Sequence, residues 1–426
     1  MATFSIAIVA ACPFPANHGT PAAIREMSEA LARRGHSIRV VTYPLAEDIP
    51  LTGVAVDRVR NVGWKRDISV GPSYRRLVFD LLLVRKLFQV VRQYQIELIH
   101  AHNYEAALVG GFVGWLTGVP VIYNAINTMI SELPSFGFVR PRALAIGLAR
   151  MLDYVVPKLA DLIIADTEEL RSFLVTHGIH PQRVITIPSG VWPDMFATGN
   201  GSHIRARFGA EGGPLIIYTG TLDQFQGVDY LMAAFKIVQE SQPRASLLLV
   251  GSTVRRAHLL KYEKMAAESG FASRFAITSC TLDQLPDFLA AADVAVVPRP
   301  ESPGIPTKLL NYMAAGNAIV SFKRSAPILQ HGETAFLIEP ATAESLADGI
   351  LTVLADPVLA LKLRTNVQKF VRGRFDWPSI AEKLEAVYAS LVNRPQSVLV
   401  PPKLPDPDLE VGRRKLGEPL AKPTIT

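Results

Sequence analysis

Arg299 and Lys308 flank the stretch of this chain best suited to hold an anion. The run DVAVVPRPESPGIPTKLLNYMAAGNAIVSF, Asp293 to Phe322, joins a short apolar segment to a Pro/Gly/Ser loop and then to a helical pattern that ends at Gly316. Val294–Val297 has the continuous apolar character of a strand buried on both faces. Pro306 or Thr307 suits the first position of a helix. A loop at the carboxyl end of a parallel strand is where an open α/β sheet takes its ligand. The helix start behind it offers free N–H groups and a partial positive charge, which suits a phosphate. Lys308 in the first turn is unfavourable for the helix but useful beside an anion. The competing reading is a solvated loop carrying two ordinary basic residues.

These residues need a scaffold, and the chain has ample material for one. Its 426 residues suggest two or three domains, and 49% hydrophobic against 19% charged residues marks a globular chain. No apolar run is long enough to cross a bilayer. The opening MATFSIAIVAACPFP lacks a basic lead-in and reads as a first buried strand rather than a signal peptide. Cys12 and Cys280 are the two cysteines; they give neither a disulfide framework nor a metal spacing, and a reducing cytoplasm is the expected setting. The net charge of +6 favours acidic ligands or an anionic surface. It is too small for a nucleic-acid partner, and no aromatic-plus-basic single-strand motif accompanies it.

Short β-type runs alternate with helical patterns throughout, which predicts βαβ units and parallel sheets. The first half carries strands near Phe4–Ala11, Ile38–Tyr43, Leu98–Ala101, Val119–Asn124, Leu162–Ala165 and Arg183–Ile187. Pro193–Gly213, rich in Gly, Asn and polar residues, reads as a linker or a transition element. A second alternation has strands near Leu215–Thr219, Ser246–Val250, Arg274–Ile277, Val294–Val297, Ala318–Ser321 and Ala335–Ile338. The expected division is a first α/β domain over 1–192, a linker over 193–213, a second α/β domain over 214–375 and a last helix over 376–392. The proline-bearing tail over 393–426 is expected to be disordered. Two α/β domains in series make the cleft between them the default site.

The chain resembles the glycosyltransferase family 4 proteins of the GT-B fold, which pair two Rossmann-like domains across a cleft. IAIVAACPFPANHGTPAAIREMSEALARRGHSIRVVTY resembles the family's opening strand, glycine loop, helix and second strand. IHAHNYEAALVG, YTGTLDQFQGVDYLMAAF and PGIPTKLLNYMAAGNAIVSF resemble later family segments in the family's order. FDWPSIAEKLEAVYASL resembles the last helix, which crosses back to the first domain. The resemblance implies transfer of a sugar from a nucleotide-sugar to an acceptor, with retained anomeric configuration and no metal or other cofactor. It places the acceptor on the first domain and the donor on the second. Helix starts and basic side chains must then stabilise the departing diphosphate.

The resemblance also assigns residues. Donor contacts fall on Gly19, Gly220, Thr221, Gln226, Arg299, Gly304, Ile305, Pro306, Thr307, Lys308 and Asn311. His102 is the candidate catalytic side chain and Glu132 an acceptor-side group. Several positions depart from the family's pattern. Thr221 and Gln226 stand where many relatives carry phosphate-gripping cations. Asn311 and Pro303 stand where relatives carry a Glu-x7-Glu pair, with Glu301 two residues out of register. Ile126 and Asn127 stand where relatives often carry His. Arg299 and Lys308 are the cations left to compensate, and Asn311 keeps an amide able to bind a ribose hydroxyl. Gly19 otherwise reads as a tight turn, and His100 as a structural residue. Cys280 needs only its backbone for a role near the base, and His18 sits near the first loop.

A hexosyltransferase with a glycan or lipid-linked acceptor is one outcome. A non-catalytic paralogue serving as a nucleotide-sugar-binding or partner subunit is another, and a nucleotide-sugar epimerase or hydrolase a third, which the missing carboxylate pair disfavours. Tyr74–Tyr94 sets Arg75, Arg76, Arg85, Lys86 and Arg92 against one acid, Asp80, amid apolar residues. Such a helix either lies on an anionic membrane or packs in a core with a solvated basic face. FVRPRALAIGLARMLDYVVPK, from Phe138, has the same character.

Overall fold

The computed structural model describes residues 3–16, 19–62, 74–135, 139–251, 254–302 and 304–392. His18, Phe138, Pro303 and the tail over 393–426 lie outside the described residues.

Seven strands form the first sheet: β1 Ser5–Ala10, β2 Ser37–Thr42, β3 Val54–Arg58, β4 Leu98–His102, β5 Val121–Ala125, β6 Leu162–Ala165 and β7 Val184–Thr186. Their spatial order is β3-β2-β1-β4-β5-β6-β7. The second sheet holds β8 Leu215–Gly220, β9 Ser246–Gly251, β10 Phe275–Ser279, β11 Val294–Val297, β12 Ala318–Phe322 and β13 Phe336–Ile338, in the order β10-β9-β8-β11-β12-β13. The pairings are parallel, as between Ile6 and both Ile38 and Leu98, or Ile216 and Val294. The central strands are buried along their length because helices cover both faces, which is why they read as continuous apolar runs.

Each sheet reverses its strand order once, between β1 and β4 and between β8 and β11. Residues just beyond the carboxyl ends of those strands border the crevice where open α/β sheets bind ligand. Gly19 follows β1, His102 ends β4, Gly220 ends β8 and Arg299 follows β11. The topology alone therefore collects the sequence candidates on facing edges.

Two details differ from the sequence expectation. β3 was not expected; its residues VAVDR are only half-buried and mix polar with apolar side chains at the sheet edge. Pro193–Gly213 is also not a plain linker. It carries the helices Pro193–Ala197 and Ser202–Arg207, which bury Phe196 and Ile204. Gly199 and Gly201 lie so close to Pro286 and Ala291 that a Cβ would sit 2.4 and 2.3 Å from their backbone atoms. The glycines that read as a linker are there for close packing.

The helix Trp377–Val392 leaves the second domain and buries its apolar stripe in the core of the first, through Ile380, Leu384, Val387, Tyr388 and Leu391. The two chain crossings are paired: Val191 N donates to Phe375 O at 2.8 Å, and Trp377 N donates to Val191 O at 3.1 Å. Polar anchors fix the helix along its length. Trp377 Nε1 donates to Glu26 Oε2 at 2.7 Å. Glu385 accepts from Arg34 Nε at 2.6 Å and lies 2.9 Å from His36 Nε2. Tyr388 Oη lies 2.9 Å from His100 Nδ1 in a fully buried setting. Leaving a buried polar group unpaired costs about 1–3 kcal/mol, so Tyr388→Phe is expected to lower stability by that amount. Urea unfolding reads it as a lower midpoint at constant slope; an unchanged midpoint would show that the hydroxyl contributes nothing.

Candidate functional site

Between the two sheets lies a cleft of about 490 Å³. From the first domain its wall takes Gly19, Thr20, His102, Asn124, Glu132 and Asp166. From the second it takes Arg299, Glu301 and the loop-helix junction Gly304, Ile305, Pro306 and Thr307. Trp377, Ile380 and Leu384 of the returning helix close one side.

Two helices from opposite domains begin at this cleft. Gly19–Arg33 starts with a left-handed Gly19 (φ +46) with open space where a Cβ would stand. Thr307–Ala314 starts behind Pro306, whose side chain provides no cap, and has no acidic residue in its first turn. Each start leaves N–H donors and a partial positive charge directed at the same space. Arg299 adds a full charge beside them. Its guanidinium sits 5.1 Å from the centre of the Phe225 ring, and burial lowers its ionisation from the usual arginine range against the opposing pull of the facing Glu132.

Glu132 sits across the cleft from that charge. Asn127 Nδ2 donates to Glu132 Oε1 at 2.5 Å. Burial and the nearby Glu105 push the Glu132 carboxyl up to about 7, against the opposing pull of Arg299. The short helix that carries Glu132, Met129–Glu132, is pinned by Asp153, which accepts from Met129 N at 2.8 Å and Ile130 N at 3.0 Å.

His102 is buried, stacked on His100 at 4.6 Å, and its Nε2 has no hydrogen-bond partner. Burial and His100 hold its ionisation well below the usual imidazole range. At neutral pH it is an uncharged ring on the cleft wall, able to exchange a hydrogen bond with a hydroxyl but not to supply positive charge.

The remaining sequence candidates form a second group behind the wall. Lys308 does not line the cleft. Its ammonium lies 2.7 Å from Tyr218 Oη and 2.8 Å from Gln226 Oε1, and a Cβ on Gly220 would stand 2.9 Å from it. Burial and Arg299 drive its ionisation well below the usual lysine range. Thr221 accepts the Tyr218 hydroxyl at 2.5 Å through its carbonyl, while its own buried Oγ1 has no partner. Asn311 is half-buried one turn into its helix, away from the cleft wall. The structure thus brings Gly19, His102, Glu132, Arg299 and Gly304–Thr307 together, and sets Gly220, Thr221, Gln226 and Lys308 beneath them as a support layer.

Asn124, Asp166 and Trp377 are wall residues that sequence reasoning did not select. Asn124 stands beside His102 in the β4–β5 register. Asp166 follows β6; burial pushes its carboxyl up to about 7, with a hydrogen bond from Asn124 acting the other way. A polar side chain directly after a wholly apolar run, as in LIIAD, was the available signal. Among the described residues no three His, Cys, Asp or Glu side chains gather as a metal site.

Comparison with known proteins bears on both halves of the cleft. Residues 18–190 match the model of a glycosyl transferase 4-like domain, and residues 213–356 match that of glycosyl transferases group 1. A D-inositol 3-phosphate glycosyltransferase of Geodermatophilus obscurus is 27% identical over 405 residues, covering 86% of this chain and 83% of its own. Sucrose-phosphate synthase from Thermosynechococcus elongatus superposes with a TM-score of 0.76 at 21% identity, over 91% of this chain and 99% of its own. Anabaena HepE, crystallised with UDP and glucose, does so with a TM-score of 0.72 at 17% identity, over 91% of this chain and 100% of its own. With one family model on each sheet and two-domain relatives aligned across both, this chain belongs to the group 1 glycosyl transferases, family 4 enzymes of the GT-B fold.

Proposed function

We propose that this glycosyltransferase moves a sugar from a nucleoside-diphosphate sugar to a hydroxyl of a glycan or lipid-linked acceptor, with retention at the anomeric carbon and without a metal ion. The observation that carries the reading is the convergence of two helix starts and Arg299 on one cleft. The bond from the anomeric carbon to the diphosphate breaks with its electron pair staying on the diphosphate. The acceptor oxygen forms the new bond, and its proton leaves to a phosphate oxygen. Fixed N–H dipoles and a guanidinium beside the leaving group stabilise the charge that grows in that step. His102, neutral and on the wall, is a hydrogen-bond partner for a sugar hydroxyl. Glu132 supports an acceptor-side role because it stands on the first domain opposite Arg299. The D-inositol 3-phosphate glycosyltransferase and the UDP-bound HepE support a nucleotide-sugar donor by likeness.

Removing a hydrogen bond to a charged group costs about 1.5–3 kcal/mol, roughly ten- to a hundredfold in affinity. Arg299→Ala is expected to weaken binding of UDP, ADP or GDP, whichever binds best, by that factor in calorimetry. Lys308→Ala tests the support layer: it should disturb the Gly220 loop and weaken binding less than the loss of Arg299. Equal affinity in Arg299→Ala and wild type would remove the diphosphate from this cleft.

The electrostatics also fixes a pH dependence. Glu132 is largely uncharged below about 7 and gains a negative charge above it. That charge opposes a diphosphate near Arg299, so affinity should fall as pH rises from 6 to 8. Glu132→Gln keeps the shape without the charge and should hold the pH 8 affinity nearer the pH 6 value. Parallel profiles in wild type and Glu132→Gln would separate Glu132 from the anion site.

A further inference from the structure

We infer that the outer helical layer of the first domain docks on an anionic lipid bilayer. This goes beyond the transfer reaction and holds whichever hydroxyl accepts the sugar.

Three elements build the layer: the helix Tyr74–Gln93, the helix Asn103–Thr117, and Arg142–Val155 with its continuation Val156–Leu159. Asn103–Thr117 lies between the other two. Leu159 packs so closely on it that a Cβ at Gly111 would meet Leu159 Cβ at 2.7 Å. The inner faces fill the core of the first sheet, through Leu83, Leu87, Val109, Val113 and Val156. The outer faces are apolar as well. Most of the large exposed apolar side chains among the described residues stand here. The middle helix presents Leu108, Phe112 and Trp115 at helical spacing, with Phe112 and Trp115 49% and 78% exposed and their rings 6.1 Å apart. One flank adds Leu77 and Leu81, the latter 73% exposed; the other adds Leu144, Met151 and Tyr154. Isolated exposed apolar residues are ordinary, but a patch spanning three adjacent helices marks an interaction surface.

The charges decide what occupies it. Each acid on these helices is engaged away from the outer face. Asp80 accepts the Tyr43 hydroxyl at 2.5 Å. Glu105 pairs with Arg76 at 3.6 Å. Asp153 is 1% exposed and caps the Met129–Glu132 helix. The bases stay outside: Arg85 and Arg92 on one flank, Arg142, Arg150 and Lys158 on the other are exposed. Among the described residues no ion pair neutralises them. An exposed Trp/Phe/Leu stripe flanked by unneutralised bases, with no outward acid, is complementary to the interface of an anionic bilayer. The layer also adjoins the cleft: Glu105, in the first turn of the middle helix, acts on Glu132, and Trp115 lies ten residues further along that helix, about 15 Å at 1.5 Å per residue.

The test is sedimentation of the full chain with phosphatidylcholine vesicles, with and without phosphatidylglycerol, over a salt series. Binding to the anionic vesicles at low salt that falls steeply with salt is expected. Arg85→Glu with Arg150→Glu should lower partitioning roughly tenfold or more, and Phe112→Ser with Trp115→Ser by a similar factor. Brominated lipid should quench the tryptophan fluorescence of the wild type and lose most of that effect in Trp115→Phe. Nucleoside-diphosphate affinity is measured on every variant; it should not change, which checks folding and keeps this inference separate from the proposed reaction. Absence of binding to anionic vesicles at low salt would overturn it. So would equal binding by wild type and charge-reversed protein, or a lipid-independent dimer in light scattering that Trp115→Ser dissociates.

Discussion

The return of the last helix to the first domain is the constraint on which the rest of the molecule depends. A two-domain chain joined by one crossing would let the sheets choose any relative angle. Here two crossings run side by side and hydrogen-bond to each other at Val191, Phe375 and Trp377. The helix beyond them is held by apolar burial and by three polar anchors, at Glu26, at Arg34 with His36, and at His100. These anchors are directional, so they fix rotation and register where apolar burial alone would not. Gly190 belongs to the same constraint: a Cβ there would stand 2.6 Å from the Trp377 ring. Trp377 thereby becomes both clamp and cleft wall.

The clamp holds together a cleft whose described wall carries few cations. Arg299 is the basic side chain on the cleft wall, and Glu132 partly balances it when no ligand is present. Lys308 is withdrawn, and the reason lies in Gln226. An amide oxygen at that position accepts a hydrogen bond from Lys308 Nζ, as the Tyr218 hydroxyl does. A lysine in place of Gln226 would have repelled that ammonium. Gln226, Tyr218 and Lys308 therefore form one hydrogen-bonded unit against Gly220, while the two helix starts and Arg299 present positive potential to the cleft.

The sequence made the fold legible because the buried strands are short unbroken apolar runs separated by helical periodicity, and because five segments stand in the family's order. β3 escaped because an edge strand half-covered on one side has no such run. The helices within Pro193–Gly213 escaped because glycines used for close contact look like glycines used for flexibility. For the site, residues within one loop, such as Gly304–Thr307, were readable together. Asn124, Asp166 and Trp377 were not, since they belong to distant segments that meet only once the strand order and the returning helix are known. Lys308 was readable as a residue near the site, but its direction was not. Which way a first-turn side chain points depends on the partner it finds, and Tyr218 and Gln226 lie more than 80 positions away.

Besides the paired crossings, the domains approach each other closely at Gly304. A Cβ on Gly304 would stand 2.9 Å from the carbonyl oxygen of Ile126, so only glycine lets the second-domain loop come this near the first-domain strand end. The domains thus meet at a hydrogen-bonded pair of crossings and at a bare backbone approach. These two contacts differ in kind. The crossings are held by hydrogen bonds and cover Trp377, whereas Gly304 meets Ile126 through backbone van der Waals contact. The Ile126–Asn127 departure from the family's histidine has local partners: the strand end contributes its carbonyl to the approach of Gly304, while Asn127 turns its amide to Glu132.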